Sequence, residues 1–440
     1  MPLHVASQPI LDADARELDR ILRGQLITSL YQPIVDLESG ETVGYESLAR
    51  GPKESPLAFP DRMFATARAA DRLAELDWEC RAAALRGALE NGLVAPMLLF
   101  VNVEPEAAFV RPPDHLWPLL AETQNKLRIV CEFTERGLID RPADVLAAAR
   151  IWRNAGMSVA IDDVSTDQSS LALLPYLCPE IIKLDLSVVQ SPLDANVAAM
   201  LQTVNAWAEK TDAIVLAEGV ETDEHLERAK SLGADFAQGW KYGKPLPLTD
   251  FELENTADGA TLSFSEPRDF NDYSTPYKYV AARRRPRVGD KRMLLALSRQ
   301  LETVGSIMGP AAIVISSFQS AKYFDPGSRE RYGQMAGDLA IVGAIGADMP
   351  VRPAAGVRGL AIAQDDPLTG EWIVCMVSPH YGATLVAHDL GDTGPELQRR
   401  FNFCLTHDRE ISTVVMQQLI ERLIPAHDRA AAPPRLRLAT

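Results

Sequence analysis

Apolar runs that end in a polar side chain recur through the first half of this chain of 440 residues. The clearest is SVAIDD at 158–163, where a run typical of a buried strand ends in two adjacent carboxylates. Alone, such a pair is more typical of a turn or a helix cap, because Asp bonds nearby backbone N–H groups. Two neighbouring anions also repel each other unless a proton or a cation lies between them. It is the repetition that favours a functional site over a turn.

Five more runs have the same form. They lie at 97–103 with Asn102, 127–133 with Glu132 and then Glu135, 180–184 with Lys183 and then Asp185, 213–217 followed by Glu218 and Glu221, and 236–239 with Gln238. Helical patterns separate several of these runs. One helical pattern, at 143–155, ends before Gly156, a residue type that commonly ends helices. This alternation predicts an α/β fold of the (β/α) barrel type, in which polar groups at the carboxyl ends of parallel strands converge on one site.

The start of the barrel is predicted to differ from a regular one. The extended runs 27–37 and 42–49 are separated by ESGE, and the glycine in this short connection indicates a β-hairpin. One strand therefore runs antiparallel to its neighbour. Helical patterns are expected before it, at 12–26, and after it, as two segments within 61–92.

Composition narrows the class of protein. The formal net charge of −16 argues against general nucleic-acid binding and disfavours anionic membrane surfaces. The five cysteines are scattered and form no CxxC pair, which is typical of reduced thiols in a cytoplasm. No apolar run approaches the length that spans a membrane, and no signal-peptide pattern opens the chain. We expect a soluble cytoplasmic protein.

The barrel pattern stops near residue 251, and we predict four parts: a barrel at 1–251, a linker at 252–291, a second domain at 292–424 and a disordered tail at 425–440. The second domain has strand patterns at 312–316, 339–345, 357–363, 372–377 and 384–388 with helices at both ends, a compact α+β pattern. The linker contains the basic run RRRPR at 283–287, which is expected to be solvated or to contact a domain rather than to bind nucleic acid.

Seven motifs of the first part resemble, in order and spacing, those of EAL-domain phosphodiesterases, which hydrolyse the bacterial messenger cyclic di-GMP. They are YQPIVDLESGETVGYESLAR, FVNVEP, CEFTERG, IDDVSTDQSSL, IIKLDLS, LAEGVET and AQGWKYGKPLP. The resemblance implies a TIM-like (β/α)8 barrel with one antiparallel strand. The second domain resembles the DICT domain in several stretches, among them SSFQSAKYF, RERYGQMA and AAGVRGLAI. A smaller α+β sensory domain, whose signal is unknown, is therefore expected to follow the barrel.

The resemblance also implies roles for individual residues. Two metal ions, Mg²⁺ or Mn²⁺, would bind at the strand ends, since such hard cations prefer oxygen ligands. The implied metal ligands are Glu46, Asn102, Glu132, Asp162 and Asp163; the catalytic residues are Lys183 and Glu218, with Glu218 either a second-site ligand or a general base. Gln32, Leu48, Arg50 and Gln238 are assigned to substrate binding, and Glu135, Asp185 and Glu221 to support of the site. A homodimer is expected, as in the family.

Two departures from the family pattern leave alternatives open. The Glu-Ala-Leu signature is Glu46-Ser47-Leu48 here, which keeps the ligand. The loop DFGTGYSSL of the family is DVSTDQSSL at 163–171, without either glycine or either aromatic residue. If those glycines supply positive φ angles, Ser165 and Asp167 would oppose the same loop shape. The leading hypothesis is an enzyme that opens cyclic di-GMP to linear pGpG under control of the second domain; the alternative is a weak or inactive receptor that signals through that domain.

Overall fold

The computed structural model describes residues 8–108, 110–253 and 275–423. Eight strands form a closed barrel in which neighbours along the chain pair with each other and β8 pairs with β1. They are β1 (Thr28–Asp36), β2 (Thr42–Arg50), β3 (Leu98–Asn102), β4 (Arg128–Thr134), β5 (Ser158–Val164), β6 (Ile181–Leu184), β7 (Ile214–Ala217) and β8 (Phe236–Gln238). β1 is antiparallel to both neighbours, whereas the other pairs are parallel. The predicted fold class is confirmed.

The hairpin between β1 and β2 explains the reversal. Asp36 Oδ1 accepts hydrogen bonds from the backbone N–H groups of Glu38 and Ser39, and Gly40 has a φ of 76°. The aspartate accepts bonds from backbone N–H groups of the turn, and the glycine adopts a left-handed φ at little cost in free energy. A connection this short can join only antiparallel strands.

In the residues that the structure describes, the barrel part has ten helices. They are α1 (Gln8–Arg23), α2 (Pro60–Ala69), α3 (Leu73–Glu90), α4 (Trp117–Lys126), α5 (Glu135–Asp140), α6 (Pro142–Asn154), α7 (Leu174–Leu177), α8 (Leu186–Gln190), α9 (Ala195–Thr211) and α10 (Asp223–Ser231), with 3₁₀ turns at Asp114–Leu116, Ser170–Leu173 and Leu248–Asp250. Alternate strand residues fill the interior, among them Ile34, Phe100, Val130 and Leu216. The barrel is therefore packed below the strand ends where the polar groups lie.

The second domain is a seven-stranded sheet in the order β12-β11-β10-β13-β14-β15-β9. Its strands are β9 (Arg287–Asp290), β10 (Ile313–Ser320), β11 (Ile341–Ala347), β12 (Arg358–Ile362), β13 (Glu371–Val377), β14 (Gly382–Asp389) and β15 (Arg400–Thr406). Its helices are α11 (Pro276–Ala281), α12 (Lys291–Gly305), α13 (Pro326–Asp338) and α14 (Arg409–Leu423), with 3₁₀ turns at Ala321–Tyr323, Pro367–Gly370 and Glu396–Gln398. The prediction of an α+β fold for the second domain is confirmed, although the predicted strands did not include β9 and β15.

The expected linker is partly folded. Within 252–291, helix α11 packs on β14 and β15, and β9 pairs with β15 at the edge of the sheet. The prediction of an irregular linker up to residue 291 was therefore wrong for these elements: their partners lie more than one hundred residues later in the chain, and the local sequence is polar. Residues 254–274 and the expected disordered tail at 425–440 lie outside the described residues.

Helix α14 lies between the two domains. Residues of β10 alternate between the faces of the sheet, so Val314 packs with α12 and α13 while Ile313 and Ile315 pack with α14. The other side of α14 packs on α6 and α7 of the barrel. Arg150 of α6 forms an ion pair with Glu421 of α14 at 2.6 Å. The apolar core consequently continues from the barrel helices through α14 into the sheet.

Candidate active site and metal centre

Lys183 is the centre of a cluster of carboxylates at the carboxyl ends of the strands. Its side chain on β6 is fully buried, and Nζ lies 2.7 Å from Glu132 Oε1, 2.9 Å from Asp162 Oδ1 and 2.9 Å from Glu218 Oε1. Glu46 Oε2 lies 3.7 Å away. The structure thus brings together groups from β2, β4, β5 and β6 and from the end of β7, as a barrel rim is expected to do.

Electrostatics explains how a buried ammonium is tolerated here. Burial alone would lower the pKa of Lys183, but Asp162, Glu132 and Glu218 outweigh it and the pKa is raised well above its ordinary value. Burial raises the pKa of Glu132, and it raises the pKa of Glu218 to about 8, against the opposing effect of Lys183. The cluster holds more negative than positive charge, so it favours an additional cation.

A local irregularity in β5 makes both aspartates available. Successive strand residues normally point to opposite faces. Here the pairing of β5 with β6 shifts register between Ile161 and Val164, and Asp163 has a left-handed φ of 57°. Oxygens of Asp162, Asp163 and Glu218 consequently lie within 4.8 Å of one another. Loss of surrounding water and the charge of Asp162 raise the pKa of Asp163 to about 6.

Two amide side chains bond Glu46, and a third bonds one of these two. Asn102 Nδ2 donates to Glu46 Oε1 at 3.1 Å, and Gln238 Nε2 donates to Glu46 Oε2 at 2.7 Å. Gln238 Nε2 also lies 3.2 Å from Gln32 Oε1, and Gln32 donates to the carbonyl oxygen of Gly243 at 3.1 Å. These bonds fix both oxygens of Glu46 at the rim. Gln32 and Gln238, predicted to bind substrate, therefore lie beside the carboxylate cluster.

The donor set fits hard divalent cations. One group consists of Glu46, Glu132 and Asp162, whose oxygens lie within 4.8 Å of one another, and a second consists of Asp162, Asp163 and Glu218. Asp162 is shared by the two groups. Glu132 Oε2 and Gln238 Oε1 are buried without a hydrogen-bond partner in the described part of the chain. Oxygen donors that lack partners and surround a shared carboxylate are what a pair of Mg²⁺ or Mn²⁺ ions requires.

The altered loop after Asp163 is held by side chains rather than by glycine geometry. Glu135 Oε2 accepts bonds from the backbone N and the Oγ of Ser165 at 3.1 and 3.0 Å, and Glu135 Oε1 accepts one from Ser170 Oγ at 2.7 Å. Asp167 Oδ1 accepts a bond from the backbone N of Ser169 at 3.0 Å. Neither Ser165 nor Asp167 has a positive φ. The loop therefore has a conformation that both residues accept, and the expectation that they would oppose the family's loop shape stays a prediction, because it concerns a loop with positive φ angles at these two positions.

Four predicted residues lie further from the centre. Leu48 is partly buried in β2, and half-buried Arg50 donates to the carbonyl oxygen of Ala49 at 2.8 Å. Burial lowers the pKa of Arg50, against the opposing charge of Glu46. Asp185 caps α8 by accepting a bond from the backbone N of Ser187. Glu221 is exposed, and its side chain makes no hydrogen bond to the site within the described ranges. Its expected supporting bond is therefore not formed.

Sequence reasoning missed a buried ion pair that supports the rim. Arg81 bonds Asp77 within α3, and its guanidinium lies 3.6 Å from the centre of the Trp78 ring. Asp77 Oδ1 accepts a bond from the backbone N of Glu104 at 3.0 Å, two residues after Asn102. The sequence shows that Asp77 and Arg81 are four residues apart, as in many helical ion pairs, but it does not show that both charges are buried.

Two known domain families match this chain. Residues 15–245, more than half of the chain, match the family model described as "EAL domain", and residues 278–390 match "Sensory domain in DIguanylate Cyclases and Two-component system". The described residues contain no helix long and apolar enough to cross a membrane.

One similar protein is "Cyclic di-GMP phosphodiesterase RocR" of Pseudomonas aeruginosa, which is 31% identical over 57% of this chain and 64% of that protein. Another is "Probable cyclic di-GMP phosphodiesterase PdeB" of Escherichia coli, which is 30% identical over 50% of this chain and 43% of that protein. The solved calcium and cyclic di-GMP complex of Klebsiella pneumoniae BlrP1 is 30% identical, covers 51% of this chain and 56% of that one, and has a TM-score of 0.45. The chain spans between 31% and 64% of the length of the first four curated relatives. By the match of its barrel, this chain belongs to the EAL-domain family, and it carries a DICT domain after the barrel.

Proposed function

We propose that this chain hydrolyses cyclic di-GMP to linear pGpG. The observation that carries the proposal is the convergence of five carboxylates and Asn102 around buried Lys183 at the strand ends. Relatives named as cyclic di-GMP phosphodiesterases share the family and support the choice of substrate. In the reaction a water oxygen attacks phosphorus, the bond from phosphorus to the 3′ oxygen breaks, and the leaving oxygen takes a proton.

We assign two divalent cations, Mg²⁺ or Mn²⁺, to the two oxygen clusters. Glu46, Asn102, Glu132 and Asp162 would hold the first, and Asp162 and Asp163 the second, with Glu218 as a further ligand or as general base. Such a pair supplies charge neutralisation at the phosphoryl oxygens and activation of water. The support is the all-oxygen donor set and the excess of negative charge around Lys183.

The chain's own residues have separable roles in this proposal. The Lys183 ammonium holds the carboxylates at one point and offers a fixed positive charge to the phosphoryl group. Gln238 and Asn102 keep Glu46 in place through their hydrogen bonds. Arg50, half-buried and close enough to Glu46 for the two charges to interact, is suited to a substrate phosphate because a guanidinium can donate two parallel bonds. Gln32 and Leu48 would complete the substrate contact.

We also propose that the DICT domain controls this site. The Nη2 of Arg358 on β12 donates to the carbonyl oxygen of Ile139 in α5 at 2.8 Å. Helix α5 begins with Glu135, the residue that bonds the loop after Asp163. On the other side of that loop, α7 packs against α14. The DICT domain therefore contacts the elements on both sides of the loop, and different contacts in two states would shift the loop between them.

The receptor alternative is not favoured. It depended on a loop that fails to hold the paired aspartates, whereas Ser165 and Ser170 bond the loop to Glu135. We retain the homodimer and the cytoplasmic location as proposals; five free cysteines are consistent with the location. Because α14 packs on α7, the helix that follows the loop, a dimer would use the exposed loop residues Thr166 and Asp167. Light scattering of the purified chain measures its mass and tests the dimer.

The test of the activity is incubation with cyclic di-GMP and Mn²⁺, with products resolved by chromatography. Linear pGpG should form, chelation should stop its formation, and Glu46→Ala should abolish it while circular dichroism stays unchanged. Glu41→Ala, which removes an exposed carboxylate from the nearby hairpin, is the matched control and should keep full activity. Undiminished turnover by Glu46→Ala would refute the metal assignment, and absence of pGpG from the wild-type chain would refute the proposed reaction.

A further inference from the structure

A basic cavity lies at the edge of the second sheet, in the segment expected to be a linker. It has a volume of about 520 Å³ and is lined by Arg284, Arg285, Pro286, Arg287, Cys404 and Leu405. The Cys404 thiol contacts the carbonyl oxygen of Arg284 at 3.5 Å, and β9 pairs with β15 through Arg287 and Phe403. The arginines are therefore carried on backbone that is fixed to the sheet. The volume is in the range of cavities that hold small ligands.

The charges of the cavity are poorly compensated. Arg284 Nη2 bonds Asp408 Oδ2 at 2.8 Å. Arg285 and Arg287 are exposed, and neither forms an ion pair with any residue in the ranges that the structure describes. Three arginines therefore line one cavity, and two of them have no acidic partner there, in a chain whose overall charge is −16. An anion with several oxygens would compensate these charges and accept the paired N–H bonds of guanidinium groups.

We propose that this cavity is a binding site for a small phosphate-bearing anion. Guanidinium groups match phosphate oxygens in geometry and charge, and the cavity accommodates more than one phosphate group together with an attached group of modest size. A long nucleic acid is the weaker choice, because the surrounding acidic protein would repel its backbone.

The position of the cavity connects it to the barrel. Asp408, the partner of Arg284, accepts bonds from the backbone N–H groups of Glu410 and Ile411 and so caps α14. The next residue, Arg409, donates to the carbonyl oxygen of Ser378, and its charge acts on buried Tyr176 of α7. An anion that draws Arg284 away from Asp408 would alter the end of α14 that faces α7. This consequence rests on the proposed phosphodiesterase function, whereas binding of the anion does not.

Binding is tested on the full chain with sodium pyrophosphate as the probe, by titration calorimetry in metal-free buffer at constant ionic strength. The double variant Arg285→Gln/Arg287→Gln should weaken binding by about tenfold or more, since each lost charge-assisted bond removes a substantial share of the affinity. Arg329→Gln/Arg352→Gln removes the same charge from exposed arginines of the same domain and should leave binding within about twofold.

The remaining outcomes also decide the proposal. Absence of binding, or an equal loss in both double variants, would overturn it. Tighter, arginine-dependent binding of a single-stranded oligonucleotide would replace it with a nucleic-acid surface. If the arginines serve only to keep the edge strand β9 from pairing with other chains, Arg285→Gln/Arg287→Gln should self-associate and still bind pyrophosphate, and the proposal is overturned.

The connection to the barrel is tested separately, by turnover of cyclic di-GMP at a fixed concentration of free Mn²⁺. Pyrophosphate should change the kcat of the wild-type chain and of the control variant, but not that of Arg285→Gln/Arg287→Gln. A change that persists in the cavity variant would mean that pyrophosphate acts in the barrel itself. If neither the wild-type chain nor either double variant hydrolyses cyclic di-GMP while arginine-dependent binding remains, the proposed function fails and the anion site stands.

Discussion

Replacing Lys183 by methionine tests whether its ammonium holds the carboxylate cluster together. Lys183 is fully buried, and three carboxylates lie within 2.9 Å of Nζ. Methionine keeps much of the volume and removes the charge. Loss of one partner from a buried ionic cluster typically costs about 3–5 kcal/mol, which for a domain of this size lowers Tm by roughly 6–20 °C. Thermal unfolding of the metal-free chain measures the effect.

Divalent cations should act differently on the variant and on the wild type. A cation that binds only the folded state at about 100 times its Kd adds about 2.7 kcal/mol. In Lys183→Met the carboxylates have lost their counter-charge, so Mn²⁺ should raise Tm by more than it does in the wild type. Lys230→Met, which removes an exposed lysine from α10, is the control and should change stability by less than about 0.5 kcal/mol.

Kinetics separates this structural role from catalysis. If the ammonium also stabilises the transition state, Lys183→Met with saturating Mn²⁺ should lower kcat by about 10²–10³ while the affinity for cyclic di-GMP changes much less. Equal losses of kcat and affinity would make Lys183 mainly a binding residue. A metal-free Tm equal to that of the wild type, with the same gain on adding Mn²⁺, would refute the reasoning about charge.

Two further predictions concern the second domain and its contact with the barrel. Arg358→Ala removes the bond to Ile139 and should lower kcat by about fivefold or more, which is the lower end of the usual coupling between sites. Arg352→Ala, on an exposed loop of the same domain, is the control and should leave kcat unchanged. Equal kcat values of Arg358→Ala and the wild type in steady-state assays would exclude this contact as the route of control. Burial raises the pKa of Glu371, despite bonds from Thr275 and the backbone N of Tyr277 and the charges of Arg422 and Lys278. The folded state therefore holds this proton more tightly than the unfolded chain, and the carboxyl destabilises the fold increasingly as pH rises from its ordinary pKa of 4.5 through the raised value. Glu371→Gln should consequently gain stability relative to the wild type between pH 4.5 and 7.5 in urea denaturation; a difference independent of pH would contradict the assignment.

The barrel, and the convergence of most of the candidate site residues, could be predicted because their patterns are local. Each strand is a short apolar run, and its polar residue stands at a fixed place at its end, so the order of Glu46, Asn102, Glu132, Asp162 and Lys183 along the chain already indicates one rim. The Gly in the connection after β1 likewise indicated the reversed strand. These properties depend on neighbouring residues, and the sequence therefore determined them.

The tertiary structure decided what depends on distant residues. Alternation along a strand would send Asp162 and Asp163 to opposite faces, and only the irregular pairing with β6 turns both toward Glu218. Residues 287–290 are too polar to indicate a strand, and they become one because Arg400–Thr406 offers an open edge. The bond between Arg358 and Ile139 joins positions 219 residues apart. No local pattern indicates such pairs, because each is selected by the free energy of packing distant parts of the chain together.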